Sequence, residues 1–189
     1  MPGYTCRCCG KYHDGLPLSY GAEAPAYYFG IPEKERRNRC ELSSDACIID
    51  DQHYFIVGNL ELLIIGSDEI FSWDVWVSLS EKNFKRACNL WNTEGRESEP
   101  PYFGWLSTSI PGYPETLSLK TNVHAREVGR RPFIELEPTD HPLAVEQREG
   151  ITWERVQEIA EIVLHSADEE SHHPSPGLSG LMKRLLKRS

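Results

Sequence analysis

No stretch of this chain is both long and apolar. The longest candidate, 60–66, is interrupted by Glu61 and falls far short of the about 20 residues that cross a bilayer, so no transmembrane helix is expected. The opening residues, Met-Pro-Gly-Tyr, lack the basic patch and apolar run of a secretory signal, and a cytoplasmic location is expected. Positive charge is also short: 20 Lys and Arg against 29 Asp and Glu leave a net charge of −9. Phosphate affinity is built mainly from Lys and Arg, so no general nucleic-acid binding is expected. The basic runs are confined to 34–39, KERRNR, and 183–188, KRLLKR. No repeat of fixed period appears, and a repeat architecture is not expected.

What is present suits a folded protein. Hydrophobic residues make up 39% and charged residues 26% of the 189 positions, with five Trp, eight Tyr and six Phe to build a core. This length fits one domain of ordinary size. Residues 1–165 are expected to form a single α+β domain, and 166–189 a Ser/His/Pro linker with a short basic amphipathic tail.

Residues 15–32 are rich in Gly, Pro, Ala and Tyr without a sustained period and read as an ordered loop. A short helix over 33–38 is expected after Pro32. The β-branched and aromatic runs 54–57 and 60–65, separated by Gly58-Asn59, predict a hairpin. In 71–79, Phe71, Trp73, Val75, Val77 and Leu79 alternate with more polar positions, so one face of a strand is core. Ser80 then caps a helix expected over 81–92, with Phe84, Ala87, Cys88 and Trp91 at helical spacing. Strands are predicted over 102–110, 116–124 and 132–137, with a turn at Pro111-Gly112. Thr152 caps a last amphipathic helix, which carries Trp153, Val156, Ile159, Ala160, Val163 and Leu164 on one stripe and ends near His165. The five tryptophans are core by spacing, with Trp76 and Trp105 as candidates for lining a groove.

The densest chemistry lies at the start: Cys6, Cys8, Cys9, Gly10 and His13 fall within eight residues. Six cysteines in a reducing compartment are thiols or metal ligands rather than disulfides. Cys6 and Cys9 form a C-x-x-C pair with His13 after it, the way a short loop turns its donors toward one tetrahedral ion. Gly10 tolerates the positive φ of a knuckle whose amides point at sulfur. Zinc suits two thiolates and an imidazole, and a closed structural site needs a fourth ligand. Cys47, just ahead of the predicted hairpin, is the first choice and would tie the loop to the sheet; Cys8 and Cys40 are the alternatives. The competing readings are buried cysteines without metal, a redox pair, which Gly10 and Gly15-Leu16-Pro17 oppose by breaking any helix there, and a Cys-His hydrolase in which Asp14 orients His13. His53, His124 and His141 are dispersed and read as ordinary hydrogen-bonding residues, and His172-His173 as solvated.

The order of these motifs resembles a bacterial family, domain of unknown function 2199. The resemblance rests on Cys6-x-x-Cys9-Gly10 with His13, Leu16-Pro17, 44–50 reading SDACIID, 54–58 reading YFIVG and 71–79 reading FSWDVWVSL. It also takes in 103–106 reading FGWL, Tyr113-Pro114, Arg131-Pro132 and 140–144 reading DHPLA. The resemblance covers about 4–165. It implies no activity, but it favours Cys6, Cys9, His13 and Cys47 as the ligand set, because these positions lie inside the shared motifs.

The combined expectation is an α+β fold: a mostly antiparallel sheet, two main helices and an N-terminal zinc-knuckle-like loop docked against the sheet edge. The role expected is that of a zinc-binding, cytoplasmic protein-interaction module of immunity or accessory type, with a protein partner. The alternative is a zinc-dependent hydrolase with an open metal position and Asp14 or Asp45 as base.

Overall fold

The structure is a computed structural model that describes residues 3–169. In chain order the elements are β1 (Tyr4–Thr5), β2 (Tyr12–His13), β3 (Ser19–Gly21), α1 (Ala26–Phe29), α2 (Glu33–Arg39), β4 (Cys40–Leu42), β5 (Ala46–Ile49), β6 (His53–Leu63) and β7 (Ile70–Leu79). They continue with α3 (Glu81–Asn89), a 3-10 turn (Arg96–Ser98), β8 (Tyr102–Leu106), β9 (Lys120–His124), β10 (Phe133–Leu136), α4 (Pro142–Glu149) and α5 (Trp153–Glu169).

The expected α+β class holds, but the sheet is not a simple antiparallel one. β6 and β7 form a long antiparallel hairpin running from Tyr54↔Leu79 to Leu63↔Ile70. β8, β9 and β10 follow antiparallel, and β10 returns to β6 in parallel at Phe133↔Asn59, closing a barrel. Both hairpin strands change partners along their length. One edge of β6 pairs with β5 up to Ile56 and then with β10 at Asn59. One edge of β7 pairs in parallel with β3 over Ser72–Asp74 and then with β8 over Val77–Leu79. Two further helices, α1 and α4, were not expected. The Pro142 that opens α4 was a readable start signal, reinforced by His141, whose Nδ1 accepts from the Leu143 amide.

The partner change explains why Gly58-Asn59 is not the predicted turn. It lies mid-strand, and the reversal falls at 64–69, where Gly66 takes a left-handed φ of +76°. A Cβ on Gly58 would sit 2.5 Å from Ile134 Cδ1 and 2.7 Å from the Pro132 carbonyl. Glycine is therefore needed for β10 to approach, a tertiary demand that resembles turn chemistry in sequence. Beside it, Arg131 fills the split between β5 and β10: it donates to Asp45 (2.9 Å), Asp74 (2.7 Å) and the Ser44 carbonyl (3.0 Å), while Asn59 donates to Asp74 (2.6 Å).

The alternation of β7 sorts its residues as expected. Phe71, Trp73, Val75, Val77 and Leu79 join Ile56, Leu60, Leu62, Leu106, Val123 and Ile134 in the main core. Leu143 of α4 and Val156, Ile159, Ala160 and Val163 of α5 complete it. The opposite face carries a second cluster, in which Trp76 packs with Ile31, Cys47, Ile49, Phe55 and Val57. Trp76 is thus a core residue, with its indole N–H on the Ala22 carbonyl (2.8 Å). Ser80 and Thr152 cap α3 and α5 through the amides of Asn83 and Arg155. The side chain of Gln147 on α4 pairs with β10, accepting from the Leu136 amide (2.8 Å) and donating to the Ile134 carbonyl (2.7 Å).

α3 ends at Asn89, short of the expected 92, and the strands are trimmed to β8, β9 and β10. α5 continues through 166–169, the first residues of the expected linker; the basic segment 181–187 and His172-His173 lie outside the described residues. Among the described residues no helix is long and apolar enough to cross a membrane.

Gly58→Val is expected to cost about 2–3 kcal/mol of stability through overpacking against Ile134. Gly66→Ala, with nothing within 4 Å of its Cβ, is expected to lose only about 1 kcal/mol from the left-handed backbone. Urea unfolding of both variants checks this, and a Gly58→Val midpoint equal to wild type would contradict the barrel closure described.

Candidate metal centre

β1 and β2 pair through Tyr4↔His13 and Thr5↔Tyr12 and carry between them the loop 6–11. The loop is drawn tight by two backbone bonds, Cys6 N to Lys11 O (2.8 Å) and Gly10 N to Cys6 O (2.9 Å). Gly10 has φ +70°, the left-handed conformation expected of it, which a side chain would strain. The turn folds the chain back over its first cysteine.

This geometry gathers donors around Cys6. One ligand atom from each of Cys6, Cys9 and His13 lies within 4.8 Å of the others, a group that can hold a metal ion. A second group of the same kind consists of Cys6, Cys8 and His165. Cys6 is buried and common to both, with its Sγ 3.1 Å from His165 Nε2. Burial opposes ionisation of the Cys6 thiol. Donation to its sulfur by the Cys9 amide, the His165 ring, the Cys8 amide and the Cys9 thiol outweighs that and brings it down to about 6. The lowering favours the thiolate, the form that ligates metal. The Cys8 thiol is pushed up by burial and by the neighbouring Cys6 and Glu161 charges. The ring of His13 stacks on Tyr4 at 5.1 Å, and its buried Nε2 finds no hydrogen-bond partner among the described residues. A buried imidazole nitrogen without a partner is costly, and coordination would satisfy it.

The loop is docked on α5, and its flanking Tyr4 shares the main core with Tyr20 of the edge strand β3. Gln157, Glu161 and His165 recur at four-residue steps, so they form one stripe along the helix. Glu161 is 4% exposed. It accepts from the Arg7 amide (2.8 Å), the Arg7 guanidinium (2.9 Å) and Gln157 Nε2 (2.9 Å). Burial pushes its carboxyl up, but the Arg7 amide, Gln157 and the Arg7 side chain outweigh that and hold it below the usual carboxylate range. His165 follows one turn later at the ligand cluster. Sequence reasoning placed the apolar stripe of this helix but missed the polar one beside it, although the spacing 157, 161, 165 was there to read.

Cys47, the expected fourth ligand, is not brought to the others. Strand alternation turns it, with Ile49, into the second core cluster, where it is wholly buried, whereas Cys6 belongs to the main core. Burial pushes its thiol up to about 12, which suits a packed hydrophobe better than a ligand. Cys40 pairs across from Ile49 at the far end of the sheet and also lies in that second region. Asp45, a candidate base, holds Arg131. His124 bonds Glu135 (2.8 Å), His141 caps α4 and His53 packs on Tyr27 at 4.8 Å between ring centroids.

An open groove of about 450 Å³ lies on the barrel surface, lined in part by Tyr27, His53, Phe55, Ser78, Trp105 and Leu117. Trp105, expected as a groove residue, is here, half exposed and edge-on to Phe103 at 5.2 Å.

Glu161→Ala leaves the Arg7 amide and Gln157 without their acceptor, a loss of about 1–3 kcal/mol. Hydrogen exchange of the 6–11 amides is expected to accelerate in this variant while the barrel strands stay protected. Unchanged exchange in the loop would show that Glu161 does not anchor it.

No curated protein and no solved structure matches the chain. A family described as an uncharacterized protein conserved in bacteria, DUF2199, matches residues 5–151, a span that carries Cys6, Cys9 and His13 and stops before α5. With the match covering well over half of its length, the chain belongs to the DUF2199 family of proteins conserved in bacteria.

Proposed function

We propose that this protein is a binding module whose N-terminal loop is held by a structural zinc ion on Cys6, Cys9 and His13, and whose partner is another protein. The observation that carries the metal reading is the convergence of these three donors within 4.8 Å. Two thiolates and an imidazole are soft to borderline donors, which favour zinc over magnesium or calcium. The donors gathered around the buried Cys6 sulfur and the unpartnered His13 Nε2 support the same reading.

Support for a protein partner comes from the exposed aromatic groove. Tyr27 and Trp105 in the groove and Phe103 beside Trp105 are 52%, 42% and 43% exposed, and aromatic side chains are enriched at protein interfaces. A hydrolytic role for the metal would need a free carboxylate to move a proton. Glu161 is already engaged by three N–H donors and Asp45 by Arg131, so of Asp14, Asp45 and Glu161 the hydrolytic alternative falls to Asp14, which is exposed beside His13.

Metal analysis of the full chain purified under reducing conditions tests the reading. About one zinc per chain is expected in the wild type, with large losses in Cys6→Ser, Cys9→Ser and His13→Ala. A wild type without stoichiometric metal overturns it. Cys47→Ser is expected to keep its zinc and instead lose about 1–2 kcal/mol of stability, since it places a hydroxyl in an apolar cluster; loss of zinc with unchanged stability would return Cys47 to the ligand set.

A further inference from the structure

We propose that His165 on α5 supplies the fourth ligand of this metal site, so that the ion clamps the N-terminal loop to the C-terminal part of the last helix. The inference rests on the zinc reading above and adds to it a ligand 159 residues away from Cys6 in sequence.

Three observations carry it. The first is distance. In a tetrahedral site with Zn–S near 2.3 Å and Zn–N near 2.0 Å, a sulfur and a nitrogen ligand lie about 3.5 Å apart. Cys6 Sγ and His165 Nε2 are 3.1 Å apart, a few tenths of an ångström from that edge. The second is the sharing of Cys6. It belongs both to the Cys6, Cys9, His13 group and to the Cys6, Cys8, His165 group. Cys6 is the junction of the two groups; the four donors do not fall into one 4.8 Å group, so an ion on the Cys6 sulfur takes Cys9, His13 and His165 together only if the His165 ring or the loop donors turn toward it. The third is preorganisation. Arg7, the residue after Cys6, is fixed on Glu161 by its amide and its guanidinium, exactly one helical step of four before His165. Thr5 is tied to the same stripe through Gln157 (3.4 Å). The loop and helix are thus held together by contacts that need no metal, and the histidine is presented to the cluster from a rigid element.

This arrangement gives a two-sulfur, two-nitrogen site closed by protein. A closed site has no open position for substrate and is structural in character. Cys8, the remaining member of the second group, competes with His165 for the fourth place. Its sulfur comes from the same loop as Cys6 and Cys9, so a site completed by Cys8 would tie the loop only to itself and leave α5 outside.

The test uses the full chain loaded with Co2+ and, separately, with Zn2+ in chelator competition. His165→Ala is expected to lower zinc affinity by about 10- to 100-fold and to weaken the visible ligand-field bands of tetrahedral cobalt, whereas Cys8→Ser leaves both as in the wild type. His165→Cys is expected to restore a tetrahedral site, with stronger sulfur-to-cobalt charge transfer, which a mere packing role for His165 does not predict. The proposal is overturned if His165→Ala keeps wild-type affinity and cobalt bands, if Cys8→Ser is the variant that loses them, or if His165→Cys fails to restore binding that His165→Ala has lost. A wild type that binds neither metal is a different outcome, because it removes the zinc reading itself.

Discussion

The fold depends on the long ladder between β6 and β7. These two strands are long enough to serve two partners each, and the change of partner at Gly58 on one strand and near Trp76 on the other lets a single sheet both close on itself and extend outward. Inside the closed part lies the main core; on the outer extension lies the Trp76 cluster. α4 and α5 pack against the first of these, and through α5 the position of the N-terminal loop is set.

The candidate site follows from that chain of placement. A loop of six residues between two-residue strands has little intrinsic stability, because short hairpins cannot bury enough surface to offset their ordering entropy. Its anchor is the buried carboxylate of Glu161, which is satisfied entirely by loop and helix donors. Burial of an ionised carboxylate is tolerable only with such full satisfaction. The same contact sets Cys6 beside His165 and fills the sulfur's surroundings with donors.

What was legible in the sequence was local. The alternation of 71–79, the capping residues Ser80 and Thr152, the apolar stripe of α5 and the glycine of the knuckle are each decided by neighbours a few positions away, and each appears as read. Gly58-Asn59 misled because a glycine demanded by a strand from elsewhere looks the same as one demanded by a turn. The barrel closure was not readable at all, since it rests on one parallel pair between strands some seventy positions apart. The site divides the same way. Cys6, Cys9 and His13 share one short motif and are found together; Cys47 shares a family pattern with them but is sent elsewhere by the two-residue period of β5. His165 could be found only once α5 was folded against the loop.

Gln147 has a consequence of another kind. Beyond its single pairing with β6, the outer edge of β10 would present a free amide and a free carbonyl, the template onto which a strand from another molecule can add. The amide side chain of Gln147 occupies both groups and so ends the sheet there without a further strand. Vulnerability to edge-to-edge association is thereby shifted to the outermost strands β3 and β4. β4 is only three residues long, carries Glu41 and follows Arg39, which is held by Asp50 and Glu35; shortness and charge are the means by which such an edge stays unattractive to a second chain.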